Sequence, residues 1–238
     1  MGLIAEVRKH NRELAVVLRK HKGIRKIVEE LYPDRAPFVY ELLQNAEDTE
    51  ATWVRFSLTR EQLMLEHNGR PFDDSDVYAI TDIGEGTKAA DDDKIGRFGI
   101  GFKAVFAYSE TPQIYCRTVS FGIKDLVVPY EIDEDPKIGE VTRFEFPLNS
   151  KKTPRDRAYL EILETLKSLS GDTLLFLRAI EAIEWTGPNG VGGSVKRIEH
   201  PSNIVEIQRS EGEETEDRYW LRFSKPVKEL PNQSVAAA

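Results

Sequence analysis

The chain has 238 residues, 33 of them Lys or Arg and 41 Asp or Glu, so its net charge is −8. Proteins that coat nucleic acids or anionic membranes carry net positive charge, and this balance argues against both roles. A 40% apolar content indicates a globular chain, and the single cysteine, Cys116, excludes an internal disulfide framework and a cysteine-based zinc site. No apolar run approaches the roughly 20 residues that span a bilayer. The charged N-terminus lacks a signal-peptide stretch, so we expect a cytoplasmic protein.

The spacing of apolar residues predicts the elements in chain order. Amphipathic spacing predicts helices over 3–31, 37–48, 73–82, 99–108 and 154–169. Alternating or continuous apolar runs predict strands within 52–58, 61–67, 113–123, 126–132, 140–148, 173–185, 194–200, 203–209 and 218–224. Because strands and helices do not alternate regularly, this order favours an α+β fold over an alternating parallel one.

The second predicted helix carries Glu41 and Asn45 four residues apart, so both side chains stand on one face of it. An amide oxygen is a hard, neutral ligand for Mg²⁺, and a carboxylate can orient and deprotonate a water molecule. The same spacing also fits an ordinary amphipathic helix with a polar face.

Residues 84–101 are rich in glycine and charge and predict a mobile loop leading into a helix. Glycines at 96, 99 and 101 allow backbone N–H groups to approach phosphates closely, and the N-terminus of the next helix favours an anion. The segment is neither a dinucleotide fingerprint nor a Walker loop, because it lacks the preceding strand of the first and the Gly-Lys-Ser/Thr of the second. A plain flexible loop is the alternative.

Three further motifs could contribute to a site. The run HNGRPF (67–72) follows a predicted strand, where Gly69 would permit a close turn against a flat ligand, although Asn-Gly is also an ordinary turn signal. The other two are Gly86-Thr87-Lys88, in the glycine-rich segment, and Thr142, in a late strand.

In this order and spacing, the motifs resemble the Bergerat-fold (GHKL) ATPases, the group of gyrase, the ninety-kilodalton heat-shock chaperones, histidine kinases and mismatch-repair proteins. Within that group the chain is most similar to the sacsin-type, heat-shock-chaperone-like branch. The resemblance covers roughly residues 30–185 and is carried by ELLQNAEDTEA, HNGRPF, GEGTK, KIGRFGIGF and LLFLR. It implies a two-layer α/β sandwich, in which helices cover a mixed, largely antiparallel sheet.

The resemblance also divides the chain into three parts: an N-terminal helical segment (1–32), a Bergerat-type ATP-binding domain (33–185), and a β-rich extension and tail (186–238). The helix over 3–31 either reaches a second subunit or packs on its own domain. His10 or His21 could nominally serve as a kinase phosphoacceptor, but their flanking residues do not resemble that motif.

The roles of single residues follow from the same resemblance. Glu41 would be the general base, and Asn45 would bind Mg²⁺. Gly69 would lie against adenine, Phe72 would line the base pocket and Thr142 would form its floor. The lid would include Gly86, Thr87 and Lys88. The segment that wraps the phosphates would comprise Gly96, Arg97, Phe98, Gly99, Ile100, Gly101 and Phe102. The basic residues that could reach the terminal phosphate are Lys88, Lys94, Arg97 and Lys103.

His67 departs from the family pattern, which has an Asp that accepts a hydrogen bond from the adenine amino group. A neutral histidine nitrogen can accept that bond, so adenine binding is expected to persist with weaker discrimination against guanine. Glu66 or Asp76 are alternative sources of the missing carboxylate.

The resemblance thus implies a Mg²⁺-dependent ATP-binding domain with slow ATP hydrolysis, in which lid closure drives conformational change or association in a larger chaperone-like or multidomain protein. The expected cofactors are ATP and Mg²⁺. The expected partners are an adenine nucleotide and either a second copy of the chain or further domains of a longer parent protein, with no membrane and no nucleic acid bound through this domain. The alternatives are a nucleotide switch without hydrolysis and an interaction scaffold with a degenerate pocket.

Overall fold

Strands β1 (Trp53–Leu58) and β2 (Gln62–His67) form the centre of the fold, and their alternating sequences leave one face of each strand buried. The buried side chains are Val54, Phe56 and Leu58 on β1, and Leu63, Leu65 and His67 on β2. The tight connection between the strands is held by Thr59, whose hydroxyl accepts hydrogen bonds from the backbone N–H groups of Glu61 and Gln62, both at 3.1 Å. Both strands agree with the alternation in the sequence.

The computed structural model describes residues 2–20, 38–82, 101–227 and 230–237. Its α-helices are α1 (Leu3–Lys20), α2 (Phe38–Asp48), α3 (Asp74–Thr81), α4 (Arg155–Lys167) and α5 (Asp172–Phe176). Three 3₁₀ helices cover Gly101–Ala107, Pro188–Gly190 and Pro201–Asn203. The strands are β1 (Trp53–Leu58), β2 (Gln62–His67), β3 (Gln113–Tyr115), β4 (Ser120–Lys124), β5 (Val128–Glu131), β6 (Thr142–Pro147), β7 (Ala182–Thr186), β8 (Gly192–His200), β9 (Ile204–Glu211), β10 (Glu214–Leu221), β11 (Phe223–Val227) and β12 (Leu230–Ala237).

Ten strands form one open, mixed sheet in the order β10-β9-β8-β7-β1-β2-β6-β3-β4-β5, and β11 and β12 pair separately. Strands β1 and β7 run parallel, whereas the other neighbouring strands of the sheet are antiparallel. The α+β expectation with a mixed, largely antiparallel sheet is therefore confirmed. Strands β8 to β10 continue the same sheet.

Helices α2 and α4 bury one side against the core. Phe38 at the start of α2 packs against Tyr108 and Phe146, with ring centroids 5.2 and 6.1 Å apart. On α4 the buried residues recur at helical spacing, as Ala158, Tyr159, Ile162, Thr165 and Leu166. None of the helices in the described ranges combines the length and apolar character that crossing a membrane requires.

The described part of α1 packs on its own domain. Val7 and Ala15 are fully buried, and the buried Asn11 donates hydrogen bonds to the carbonyls of Thr81 (3.2 Å) and Val127 (2.9 Å). Residues 3–20 therefore follow the alternative in which this helix packs on its own domain. Residues 21–31 of the predicted helix lie outside the described ranges.

We expect Asn11→Leu to lower the free energy of unfolding by about 1–3 kcal/mol, because two buried carbonyls lose their donor. Urea unfolding of the variant and wild type would measure this loss. Arg12→Ala changes the exposed neighbour and serves as the control. A loss below about 0.5 kcal/mol for Asn11→Leu, similar to that of a surface substitution, would contradict the prediction.

Two sequence predictions are corrected. The predicted strand over 173–185 is helical at Asp172–Phe176, and its strand begins only at Ala182. A continuous apolar run carries no clear periodicity, so a short helix and a strand look alike in it. The predicted helix near 99–108 is a 3₁₀ helix over Gly101–Ala107, and its first two residues lie outside the described ranges.

Candidate functional site

Two glycines, Gly69 and Gly101, pack closely against one face of α2 and the residue that follows the helix. Glu41 and Asn45 are one turn apart on this face, and Thr49 follows the helix one turn further on. A methyl group built on Gly101 would overlap the Glu41 carboxylate, and one built on Gly69 would overlap the Thr49 hydroxyl. The structure therefore brings four of the predicted residues, Glu41, Asn45, Gly69 and Gly101, to the same side of one helix.

The backbone holds the Gly69 turn against the end of α2. The Arg70 N–H donates to the Thr49 carbonyl at 2.9 Å, and the Thr49 hydroxyl donates to the Ala46 carbonyl at 2.8 Å. A side chain at position 69 would meet the Thr49 backbone oxygen as well as its hydroxyl. Glycine at 69 is thus required by packing on α2.

His67 and Thr142 face each other on neighbouring strands. They are directly paired in the β2–β6 register, and both side chains lie on the buried face of the sheet, with exposed fractions of 2% and 0%. Nδ1 of His67 accepts a hydrogen bond from the Gly69 N–H at 3.1 Å. Burial lowers the pKa of the His67 imidazole to about 4, so the ring is neutral at physiological pH.

Phe72 and Phe102, both assigned to the nucleotide site by the resemblance, are buried in an aromatic cluster. The Phe72 ring meets Phe144 edge-on at 5.9 Å, and the Phe102 ring is tilted against it at 6.2 Å. Phe144 in turn stacks on His67, with ring centroids 6.0 Å apart. The two phenylalanines therefore support the strand ends that carry His67 and Thr142.

Two buried polar groups in this region have no hydrogen-bond partner within the described residues. They are the side-chain amide nitrogen of Asn45 and the hydroxyl of Thr142. Across the same residues, no group of three or more His, Cys, Asp or Glu side chains could hold a metal ion. A Mg²⁺ ion held by one amide oxygen and by phosphate oxygens does not need such a group, so the Asn45 side chain fits that mode of binding. Its unpartnered nitrogen is a hydrogen-bond donor, and a phosphate oxygen is an acceptor that would fit it.

The prediction that Lys103 could reach the terminal phosphate is corrected by the structure. It is fully buried, and its Nζ donates to the Ile80 carbonyl near the end of α3 at 2.5 Å. Burial lowers its pKa from 10.5 to about 7, against the opposing effect of Asp82. The other candidates and the lid and phosphate residues lie outside the described ranges, namely Gly86, Thr87, Lys88, Lys94, Gly96, Arg97, Phe98, Gly99 and Ile100.

Lys103→Met is expected to remove a pH dependence of stability. Because the folded pKa is lowered, the unfolded chain binds more protons between about pH 7 and 10, so the wild type loses stability as the pH falls through this range. The difference in unfolding free energy between variant and wild type should change by up to about 1.4 kcal/mol per pH unit. Urea unfolding of both proteins at about pH 7, 8 and 9 measures it. A difference that is constant with pH would contradict the burial of a neutral Lys103.

Neither alternative carboxylate is available beside His67. Glu66 precedes His67 on β2, so its side chain points to the opposite face of the sheet. The Asp76 carboxylate accepts two hydrogen bonds from Arg70, at 2.5 and 2.9 Å, and a third from the Asp73 N–H, where it forms the capping box of α3. The suggestion that Glu66 or Asp76 replaces the family's Asp is therefore wrong.

Sequence reasoning missed two residues that hold the LLFLR segment (174–178). The Glu47 carboxylate accepts backbone N–H groups of Arg178, Ala179 and Ile180. From the other side, the buried Arg197 donates to the carbonyls of Leu174, Leu177 and Arg178.

The roles of Glu47 and Arg197 could have been suspected from features of the sequence. An acidic residue near a helix C-terminus opposes the helix dipole, and Glu47 stands in the last turn of α2. An arginine on the buried face of a strand requires acceptors, and Arg197 shares that face of β8 with Val195.

Comparison with known proteins agrees with part of the resemblance. Residues 60–132 match the family model described as Sacsin domain. The chain is 26% identical over 209 residues to sacsin from Homo sapiens, an alignment that covers 64% of this chain and 5% of sacsin. This chain is similar to sacsin over part of its length. Protein NO VEIN from Arabidopsis thaliana is 29% identical over 118 residues, which cover 46% of this chain and 4% of that protein.

The sacsin-type part of the resemblance is thereby confirmed. The chain spans about a twentieth of the length of the two relatives it matches. A crystal structure of the N-terminal domain of a DNA repair protein is similar at 12% identity and a TM-score of 0.44, over 79% of this chain and 69% of that one.

Proposed function

We propose that this sacsin-related chain is a Mg²⁺-dependent ATP-binding domain that hydrolyses ATP slowly. The observation that carries the proposal is the pair of buried polar groups, on Asn45 and Thr142, that lack a partner within the described residues. A buried polar group without a partner costs about 1–3 kcal/mol, and a bound ligand that supplies the partner removes this cost. The family resemblance assigns both residues to the nucleotide site.

Each residue on the α2 face has a role in this proposal. The Glu41 carboxylate would orient a water molecule and take its proton, and the absence of a side chain at Gly101 leaves the space that the carboxylate occupies. The Asn45 amide, one turn along, would hold Mg²⁺ by its oxygen, and its unpartnered nitrogen would donate a hydrogen bond to a phosphate oxygen. When bound, Mg²⁺ would neutralise charge on the phosphates. On the sheet, Thr142 and His67 would contact the base.

The output of ATP binding is proposed to be a conformational change or an association within a larger chaperone-like protein. The size of the relatives supports this, because the regions they share with this chain are only 5% and 4% of their lengths. In such proteins, a domain that changes shape with its nucleotide state can shift its neighbours between two arrangements.

The test is thermal unfolding with and without Mg²⁺, in the presence of ATP, ADP, GTP or a non-hydrolysable ATP analogue, followed by a phosphate-release assay. A nucleotide at 100 times its Kd should stabilise the folded chain by about 2.7 kcal/mol. Thr142→Val, which keeps the shape but removes the unpartnered hydroxyl, should reduce this stabilisation. Stabilisation without phosphate release would indicate the switch without hydrolysis. No stabilisation by any nucleotide would indicate the scaffold with a degenerate pocket.

A further inference from the structure

We propose that His67 contacts the nucleotide base as a hydrogen-bond donor, so that the site accepts purines with an oxygen at position 6 about as well as adenine. This inference rests on the proposed function, since it concerns the base specificity of the same site. It also reverses the role expected from the sequence, in which a nitrogen of His67 accepts a hydrogen bond from the adenine amino group.

The donor role follows from the hydrogen bond that the ring already makes. Nδ1 of His67 accepts the Gly69 N–H at 3.1 Å, and a neutral imidazole has one acceptor nitrogen and one donor nitrogen. The proton of the neutral ring is therefore on Nε2.

The surroundings of His67 hold this ring orientation. Phe144 stacks against the imidazole, and the Gly69 turn is fixed on α2 by the bond from Arg70 N–H to the Thr49 carbonyl. A flipped ring would present a C–H group to the Gly69 N–H and leave that buried donor without a partner. The tautomer is thus determined by the turn beside the ring rather than by the ligand.

The donor changes what the site can discriminate. Adenine presents an amino donor at position 6, whereas guanine and hypoxanthine present a carbonyl acceptor there. An Asp at position 67 would accept from the amino group and repel the carbonyl. The Nε2–H of His67 can instead donate to the carbonyl or to an acceptor ring nitrogen of adenine. The unpartnered hydroxyl of Thr142 across the strand pair can donate or accept, so it complements either base.

The decisive measurement is the ratio of the equilibrium Kd of ITP to that of ATP, because these two nucleotides differ in the base at position 6. We expect this ratio to be within about tenfold for the wild type and to rise by more than about tenfold in His67→Asp, which has the acceptor. A single well-placed polar pair gives discrimination of this size. Glu66→Gln, on the opposite face of β2, is the matched control and should leave the ratio unchanged.

The outcomes separate this inference from the proposed function. If neither nucleotide binds the wild type, both fail. If ATP binds and is preferred over ITP by more than about tenfold, or if His67→Asp folds, binds ATP and keeps the wild-type ratio, the inference alone is overturned. A long-range ¹H–¹⁵N spectrum of the nucleotide-free protein gives an independent check that does not need the variant to fold. It should show the proton of His67 on Nε2, and a proton on Nδ1 in the neutral ring would overturn the inference.

Discussion

Glu41→Gln is expected to bind ATP with nearly wild-type affinity and to release phosphate at least about 100-fold more slowly. General-base catalysis typically contributes 10²–10⁴-fold to a rate, and an amide of the same shape cannot take the proton from water. Asn45 and Thr142, the unpartnered groups proposed to meet the ligand, are unchanged in this variant. The variant should therefore keep its affinity for ATP while it loses most of its rate of phosphate release.

The experiment compares the Kd of ATP with the single-turnover rate of phosphate release in the wild type, Glu41→Gln and Glu61→Gln. Glu61 lies in the exposed turn between β1 and β2, so the last variant makes the same chemical change away from the site. Wild-type turnover in Glu41→Gln would remove Glu41 from the role of base. Loss of ATP binding in the same variant would mean that the carboxylate acts mainly in binding.

Gly101→Ala is expected to reduce phosphate release by at least about tenfold while the chain remains folded. The added methyl group would overlap the carboxylate end of Glu41, which is a flexible group and can move away, whereas no backbone atom is among the nearest atoms that it meets. A small displacement of a catalytic group is enough to lower a rate substantially. The loss is thus expected to act through the position of Glu41.

A double-mutant cycle tests that dependence. If Gly101→Ala acts by moving the carboxylate, it should cost little further activity once Glu41 is already Gln, so the two effects should not add. Gly2→Ala is the matched control, because a methyl group there meets nothing within 4 Å. Fully additive losses would contradict the proposed link between Gly101 and Glu41. A strong fall in thermal stability of Gly101→Ala would show instead that the contact supports the fold.

Local patterns in the sequence determined the central elements and the pairing of Glu41 with Asn45. Helical spacing depends on neighbours three or four residues away, so it places both side chains on one face of α2 without further information. Alternation in β1 and β2 likewise depends only on nearby residues, and it placed His67 at the end of a strand. The order of the motifs was enough to indicate the similarity to sacsin-type proteins, which the comparisons support over part of the chain.

Tertiary structure alone decided which polar groups are free and which are already bonded. The bonds of Glu47 reach residues 131 to 133 positions away, and those of Lys103 reach the end of α3, so no local pattern could show them. The same holds for Asp76, which is held by Arg70, and for the parallel pairing of β1 with β7. His67 shows most clearly what the sequence alone leaves undecided. Its residue type allows a donor or an acceptor, and the hydrogen bond from the Gly69 N–H determines which nitrogen carries the proton.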